Sequence, residues 1–225
     1  MRLPGTGRVS LGGWQEDPLW APFYDWTVEH ARVGGVLWRI GIGSDLRLLY
    51  GAAEEIGRQP PGARILDVPC GGGVALRGLR RGQGVSYVAA DIAPEMLART
   101  MDAARDRGVA DQVEVRVADV AALPYADGEF DLVVSFTGLH CFPDPHRALT
   151  QMVRVLRHGG VLSGSAVLND TGVRHEPMRR LGRAANLLGP SCTTAELGSW
   201  LADLGVPDAT LRTSGAMCYF RGVRE

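Results

Sequence analysis

The sequence contains no lysine; its 24 Lys+Arg side chains are all arginine. A Schiff-base lysine, a lysine general base and a phosphate-loop lysine are therefore excluded from any mechanism, since a guanidinium keeps its proton and forms no imine. A bias towards Ala, Gly and Arg is enough to explain the absence, and the exclusion holds either way. Cysteine is scarce. Cys70, Cys141, Cys192 and Cys218 are scattered, with no CxxC pair and no histidine at zinc-finger spacing. They read as reduced, mostly buried thiols, and no metal site is expected. Neither sign of charge is in excess: the formal net charge is −1, which provides no broad electrostatic grip on nucleic acid. No apolar run is long enough to cross a bilayer. The stretch Met1 to Gly7 lacks the apolar core of a secretory signal, so a cytoplasmic protein is expected.

What is present suits one ordinary domain. The 225 residues are 45% hydrophobic, enough to bury a full core without disulfides or metal. The expected organisation is a single domain over 1–225. Its parts are a helical N-terminal segment over 1–60, a binding core over 61–168, and an insertion with the last strands over 169–225. The first part holds Trp14, Trp20, Trp26 and Trp38, four of the five tryptophans, with Phe23, Tyr24 and Tyr50. Ala21 to Ala53 reads as helices broken near Gly34-Gly35 and Gly41 to Gly43.

From Arg64 the texture changes to short β-branched runs alternating with helical stretches. Strands are expected at Arg64–Val68, Ser86–Asp91, Gln112–Ala118, Phe130–Phe136 and Gly160–Val167. Helices are expected at Ala75–Arg81, from Pro94 to about Arg107, and at Pro145–Leu156, the last ended by His158-Gly159-Gly160. The run Phe130–Phe136 is nearly all apolar, as suits a strand covered on both faces. A polar helical insertion to about Gly189 and a helix at Thr194–Leu204 follow. Two more strands are expected at Ala209–Thr213 and Ala216–Arg221. Only Ser214-Gly215 separates these two, too little for a helical crossover, so the last strand should run antiparallel. The pattern predicts an α/β protein: a Rossmann-like, seven-stranded, mostly parallel sheet with helices on both faces.

A strand that ends in an acidic residue and runs into a glycine turn is a nucleotide-binding device, because glycines let the backbone approach a ligand closely. Here the stretch is Asp67-Val-Pro-Cys-Gly-Gly-Gly73, and acidic residues stand near the ends of the first three strands: Asp67, Asp91 and Asp119. One such Asp is more often a turn or helix-cap residue. Three in register with the glycine turn are harder to explain that way.

Taken with Ala90-Asp-Ile-Ala-Pro-Glu-Met-Leu97, Leu123 to Leu132, Leu139-His-Cys-Phe-Pro-Asp144 and Val155 to Gly160, this series resembles the class I S-adenosylmethionine-dependent methyltransferases. It is most similar to the small-molecule branch related to ubiquinone/menaquinone-biosynthesis enzymes. The resemblance covers roughly Arg64 to Val167. It implies S-adenosylmethionine as cofactor, with S-adenosylhomocysteine as product. Asp67 would hold the methionyl ammonium through water, and Gly71 and Gly73 would leave room for methionine and ribose. Asp91 would accept both ribose hydroxyls. Asp119 would accept from the adenine amino group and Val120 N–H would meet a ring nitrogen, with Ile92 and Met96 sandwiching the adenine. Pro69, Cys70 and Phe136 complete the set. Pro69 stands where the family often has glycine; lacking an N–H and fixed in φ, it should hold that part of the turn extended.

The cluster Phe23-Tyr-Asp-Trp26 is similar to the family's N-terminal lid, which places Tyr24 over the methionine end of the cofactor. Aromatic packing on the core explains Trp20 and Trp38 as well. A tryptophan-rich lid equally suits contact with a second subunit, so a homodimer is compatible. His140, after the fourth strand, is the candidate base for a hydroxyl acceptor, against the alternative of a histidine bonded to backbone. His30 and His175 fall in the segments expected to cover the substrate, while His146 and His158 read as surface residues. The chain reads Ser135-Phe-Thr-Gly138 after the fourth strand, not an Asn/Asp-Pro-Pro-Tyr-type motif, which argues for a small carbon or oxygen acceptor. A nicotinamide-dependent oxidoreductase fits poorly, because Leu76 stands where its third glycine belongs. A methyltransferase-like protein acting as a cyclase, or binding the cofactor without transfer, remains compatible with every cofactor motif.

Overall fold

The computed structural model describes residues 38–184 and 188–225. Residues 1–37 of the expected N-terminal lid, with Tyr24 and His30, lie outside the described residues.

The β-branched runs form strands β1 (Arg64–Asp67), β2 (Ser86–Asp91), β3 (Val113–Val117), β4 (Phe130–Phe136), β5 (Leu156–Val167), β6 (Thr210–Ser214) and β7 (Met217–Val223). They make one seven-stranded sheet in the order β3-β2-β1-β4-β5-β7-β6. Pairings among the first five are parallel. β7 slots between β5 and β6 and runs antiparallel to both, as the short link before it requires.

Helices α1 (Leu46–Gly57), α2 (Pro94–Arg107), α3 (Pro145–Val155), α4 (Glu176–Ala184) and α5 (Thr194–Asp203) accompany the sheet, with short 3-10 turns between elements. Their starts follow from local chemistry. Asp45 and Asp144 accept backbone N–H bonds at the heads of α1 and α3, and Thr193 and Glu196 form a capping box on α5. A proline opens both α2 and α3, where its missing N–H costs nothing.

Successive strand residues point to opposite faces, so a strand covered on both sides must be apolar throughout. On one face Leu46, Leu49 and Ile56 of α1 and Leu97 and Ala104 of α2 pack over Ile65, Tyr87, Leu132 and Val134. On the other, Leu149 and Met152 of α3 and Leu197 and Leu201 of α5 pack over Leu66, Val88, Val133 and Leu162. Each such aliphatic side chain contributes roughly 1.5–3 kcal/mol on burial.

Two expectations are corrected. The stretch after the glycine turn is not an α-helix to Arg81 but a five-residue 3-10 turn, Val74–Gly78. It ends where its backbone meets α1: a Cβ on Gly78 would lie 1.8 Å from the Ala53 carbonyl oxygen. Gly78→Ala is therefore expected to push α1 outward, costing about 1–3 kcal/mol and lowering Tm by roughly 3–10 °C in a thermal melt. An unchanged Tm would show that this approach carries no constraint. The second correction concerns His158-Gly159-Gly160, which does not end a helix but lies inside β5. The pairing of β4 with β5 skips there, from Phe130↔Leu156 to Leu132↔Val161, and a bulge absorbs the extra residues.

The chain leaves β1 towards β2 and β3, then returns to add β4 on the other side of β1. The strand order thus reverses between β1 and β4, and in sheets of this kind the ligand crevice lies at the carboxyl ends of the strands beside such a switch point.

Candidate functional site

The crevice is built on β1. Asp67 ends that strand and is 1% exposed. Its Oδ2 accepts a 2.7 Å hydrogen bond from the hydroxyl of Tyr87, itself fully buried on β2. Burial raises the Asp67 carboxyl to about 7, against the lowering effect of Tyr87 and with a further push from the Asp91 charge.

The turn that follows is held from three sides. The Val68–Pro69 peptide is cis, and the proline ring seats against Gly138 after β4: a Cβ on Gly138 would come within 2.2 Å of Pro69 Cδ. This contact gives Pro69 a physical reason, since only glycine leaves room for its ring. Cys70 is buried, its N–H donating to Ala90 O at 2.9 Å and its thiol pushed up by burial. Thr100 of α2 donates to Gly71 O at 2.7 Å and to Cys70 Sγ at 3.4 Å. Gly71 and Gly73 have φ of 52° and 86°, a region that strongly favours glycine. A Cβ on Gly73 would crowd Leu76 and Thr100 at 3.0 and 3.3 Å, whereas one on Gly71 meets nothing within 4 Å.

Asp91, at the end of β2, is the hub. Its Oδ2 accepts from Gly71 N–H and its Oδ1 from Ala93 N–H, both at 3.0 Å. Its carbonyl accepts from Ala118 N–H at 3.0 Å, which ties in the end of β3. Burial raises its carboxyl, opposed by these backbone donors. Beside it, Ile92 is 52% exposed, an unusual place for an isoleucine, and Met96 is half-buried one turn into α2. Asp119 is exposed and accepts from Ala121 N–H at 2.8 Å, capping the short turn that contains buried Val120. The structure thus brings Asp67, Pro69, Cys70, Gly71, Gly73 and Asp91 together around the β1 turn, with Ile92 and Met96 flanking them.

On the other side of the crevice, β4 ends in buried Phe136. Thr137 follows with φ of 57°, a strained conformation for a β-branched residue, held by its N–H donating to Ser165 O at 2.9 Å. His140 is buried in the next turn, and its Nδ1 accepts from Val167 N–H at 3.1 Å. Burial lowers its pKa to about 4. The ring is neutral at physiological pH with its proton on Nε2, a donor in this tautomer.

His175 is buried elsewhere. Its Nε2 accepts from Arg174 Nε at 3.1 Å, and burial followed by the charges of Arg174 and Arg179 lowers its pKa. It borders a cleft of about 450 Å³ lined by residues 39–41, 174, 175, 177 and 178, which shares no residue with the glycine turn. His146 and His158 are exposed. Tyr87, Thr100, Thr137 and Gly138 are site-building residues that the motif reading passes over. Of these, Tyr87 had a signal: it stands four residues before Asp91 on β2, on the same face.

Residues 66–163 match the family model described as a methyltransferase domain. The match runs from β1 into β5 and takes in the whole Asp67–Asp91–Asp119 series. The demethylmenaquinone methyltransferase of Thermus thermophilus is similar at 40% identity over 124 residues, 55% of this chain and 55% of that protein. The 27-O-demethylrifamycin SV methyltransferase of Amycolatopsis mediterranei is 35% identical over 102 residues, 45% of this chain and 38% of that protein. The chain spans about half, or less, of the length of such curated relatives. Among solved structures the 4+2 cyclase SpnF is 27% identical with a TM-score of 0.60, covering 76% of this chain and 62% of that one. The mostly parallel sheet with antiparallel β7 is the Rossmann-like arrangement of these neighbours. Among the described residues no helix is long and apolar enough to cross a membrane.

Proposed function

We propose that the chain binds S-adenosylmethionine at the β1 turn and transfers its methyl group to a small-molecule carbon or oxygen acceptor. The observation that carries this reading is the pair of carboxylates at adjacent strand ends, Asp67 and Asp91, joined through the turn by the Gly71 N–H. The residues fit the cofactor chemically. Asp67 is a buried carboxyl with no cation beside it among the described residues, which suits an ammonium. Asp91 keeps acceptor capacity beyond its backbone bonds, which suits hydroxyl donors. Exposed Ile92 and half-buried Met96 offer apolar surface for a flat base. Asp119 and Val120 would take the adenine edge, and Tyr24, on the sequence alone, the methionine end.

When bound, the cofactor supplies an electrophilic methyl group on a sulfonium. The chain's own part is to align and to exclude water, the main requirements of an in-line displacement. Pro69 against Gly138 fixes the β1 turn to the β4 loop, so the two walls of the crevice keep their spacing. His140, bonded through Nδ1 to Val167, would brace the β4 loop against β5 and present Nε2–H as a donor, which favours a positioning part over that of a base. The balanced charge speaks against a nucleic-acid substrate.

A second reading has one observation behind it: the likeness to SpnF, a cyclase, shows that such a sheet also serves chemistry without methyl transfer. Incubation with labelled S-adenosylmethionine and a panel of phenols, quinone-like rings, polyketides and lipid-like acids separates the two. Release of S-adenosylhomocysteine is the expected result; tight binding with no turnover on any acceptor would favour the cyclase-like reading.

A further inference from the structure

We propose that Tyr87 is a positioning residue for Asp67, and that this buried pair makes capture of a cationic ligand group release a proton. The inference rests on the cofactor reading above, which puts the ammonium of S-adenosylmethionine at Asp67.

The geometry is a closed one. Asp67 is 1% exposed and Tyr87 fully buried, and the hydroxyl bonds Oδ2 at 2.7 Å. The register pairs Ile65 with Tyr87 and Asp67 with Ala89, so Tyr87 reaches Asp67 diagonally across two parallel strands. From β4 the neighbours are apolar, Leu132 and Val134. Among the described residues the titratable groups that face the carboxyl are Tyr87 and Asp91 from β2 and Cys70 from the turn; none of them is a cation. One oxygen is thereby fixed by a neutral donor, and the carboxylate charge has no counter-ion within the set.

Such a carboxyl is costly to ionise until a positive charge arrives. Burial holds it at about 7, so near neutral pH the protonated form is well populated. On capture of an ammonium the carboxyl becomes carboxylate: the O–H bond of Asp67 breaks, its proton passes to buffer, and the ammonium stays intact. Tyr87 does not take part as an acid, because burial and the Asp67 charge push its hydroxyl well above its ordinary value. Its hydrogen bond favours the ionised carboxyl, so losing that bond raises the pH needed for ligand capture.

Titration calorimetry with S-adenosylhomocysteine, near pH 7 in phosphate and in Tris, reads the proton count from the difference in heats. Wild type is expected to release a substantial fraction of one proton, and Asp67→Asn none. Methylthioadenosine, which lacks the ammonium, should bind with no release. Wild-type affinity for S-adenosylhomocysteine should fall about tenfold from pH 8 to pH 6 as Asp67 protonates, while that for methylthioadenosine stays level. In Tyr87→Phe the fall should begin at higher pH, with affinity approaching wild type at the alkaline end. A merely structural tyrosine would instead lower affinity equally at every pH. Heats that do not depend on the buffer, or the same pH midpoint in wild type and Tyr87→Phe, would overturn the proposal while leaving the cofactor reading intact. Failure of both ligands to bind would overturn the cofactor reading, and this proposal with it.

Discussion

Replacing Asp91 with alanine is expected to weaken S-adenosylhomocysteine binding at least about a hundredfold. Two hydroxyl bonds to a charged acceptor are lost, each worth about 1.5–3 kcal/mol, and about 1.4 kcal/mol is a factor of ten. The same change removes the acceptor for Gly71 N–H and Ala93 N–H, so the turn loses its tie to β2. Asp91→Asn keeps an acceptor oxygen and should fall between alanine and wild type. Equilibrium dialysis measures the affinities, and a melting curve checks that each variant is folded. Alanine binding within threefold of wild type would show that Asp91 holds no ligand.

Replacing Asp67 with asparagine should give the opposite signs for binding and stability. The carboxyl's folded-state pKa of about 7 lies above its unfolded value of 3.8. A carboxyl raised in this way favours the folded state most when both states are protonated. That advantage declines as pH rises from the unfolded value to the folded one, and is gone above about pH 7. Asparagine is neutral throughout and removes this loss. Its extra N–H donors, buried without partners, offset part of the gain. The variant is expected to melt roughly 3–8 °C higher than wild type at pH 8, on the order of 2 kcal/mol, and to differ little at pH 5. It should also bind S-adenosylhomocysteine more weakly. A melting point lowered at pH 8 would mean that the Asp67 charge is stabilising, and that a counter-ion supports it in the free protein.

The elements carried by local pattern were the legible ones. β2 and β4 have the expected limits, because short, largely apolar runs are properties of neighbouring residues. α2 begins at Pro94 and ends at Arg107, as expected, and Gly108 caps it in a left-handed conformation. What depended on distant contacts was not legible. The stretch after Gly73 has helical composition, and only the approach of Gly78 to α1 confines it to a short turn. The Gly-Gly at 159–160 looks like a helix stop, yet the β4–β5 ladder continues past it by bulging. In the site, the carboxylate series was readable from spacing. The partner of His140 lies 27 residues away on Val167 and needs the fold. Tyr87 needed the β1–β2 register, which no single strand contains. Pro69 drew its reason from Gly138, on a different loop.

The most direct measurement is equilibrium dialysis of the whole chain against labelled S-adenosylmethionine, with unlabelled competitors. One saturable site per chain is expected, emptied by S-adenosylhomocysteine and untouched by NAD. No saturable binding, or displacement by NAD in place of S-adenosylhomocysteine, would contradict the assignment of the Asp67–Gly73 turn and Asp91 to this cofactor.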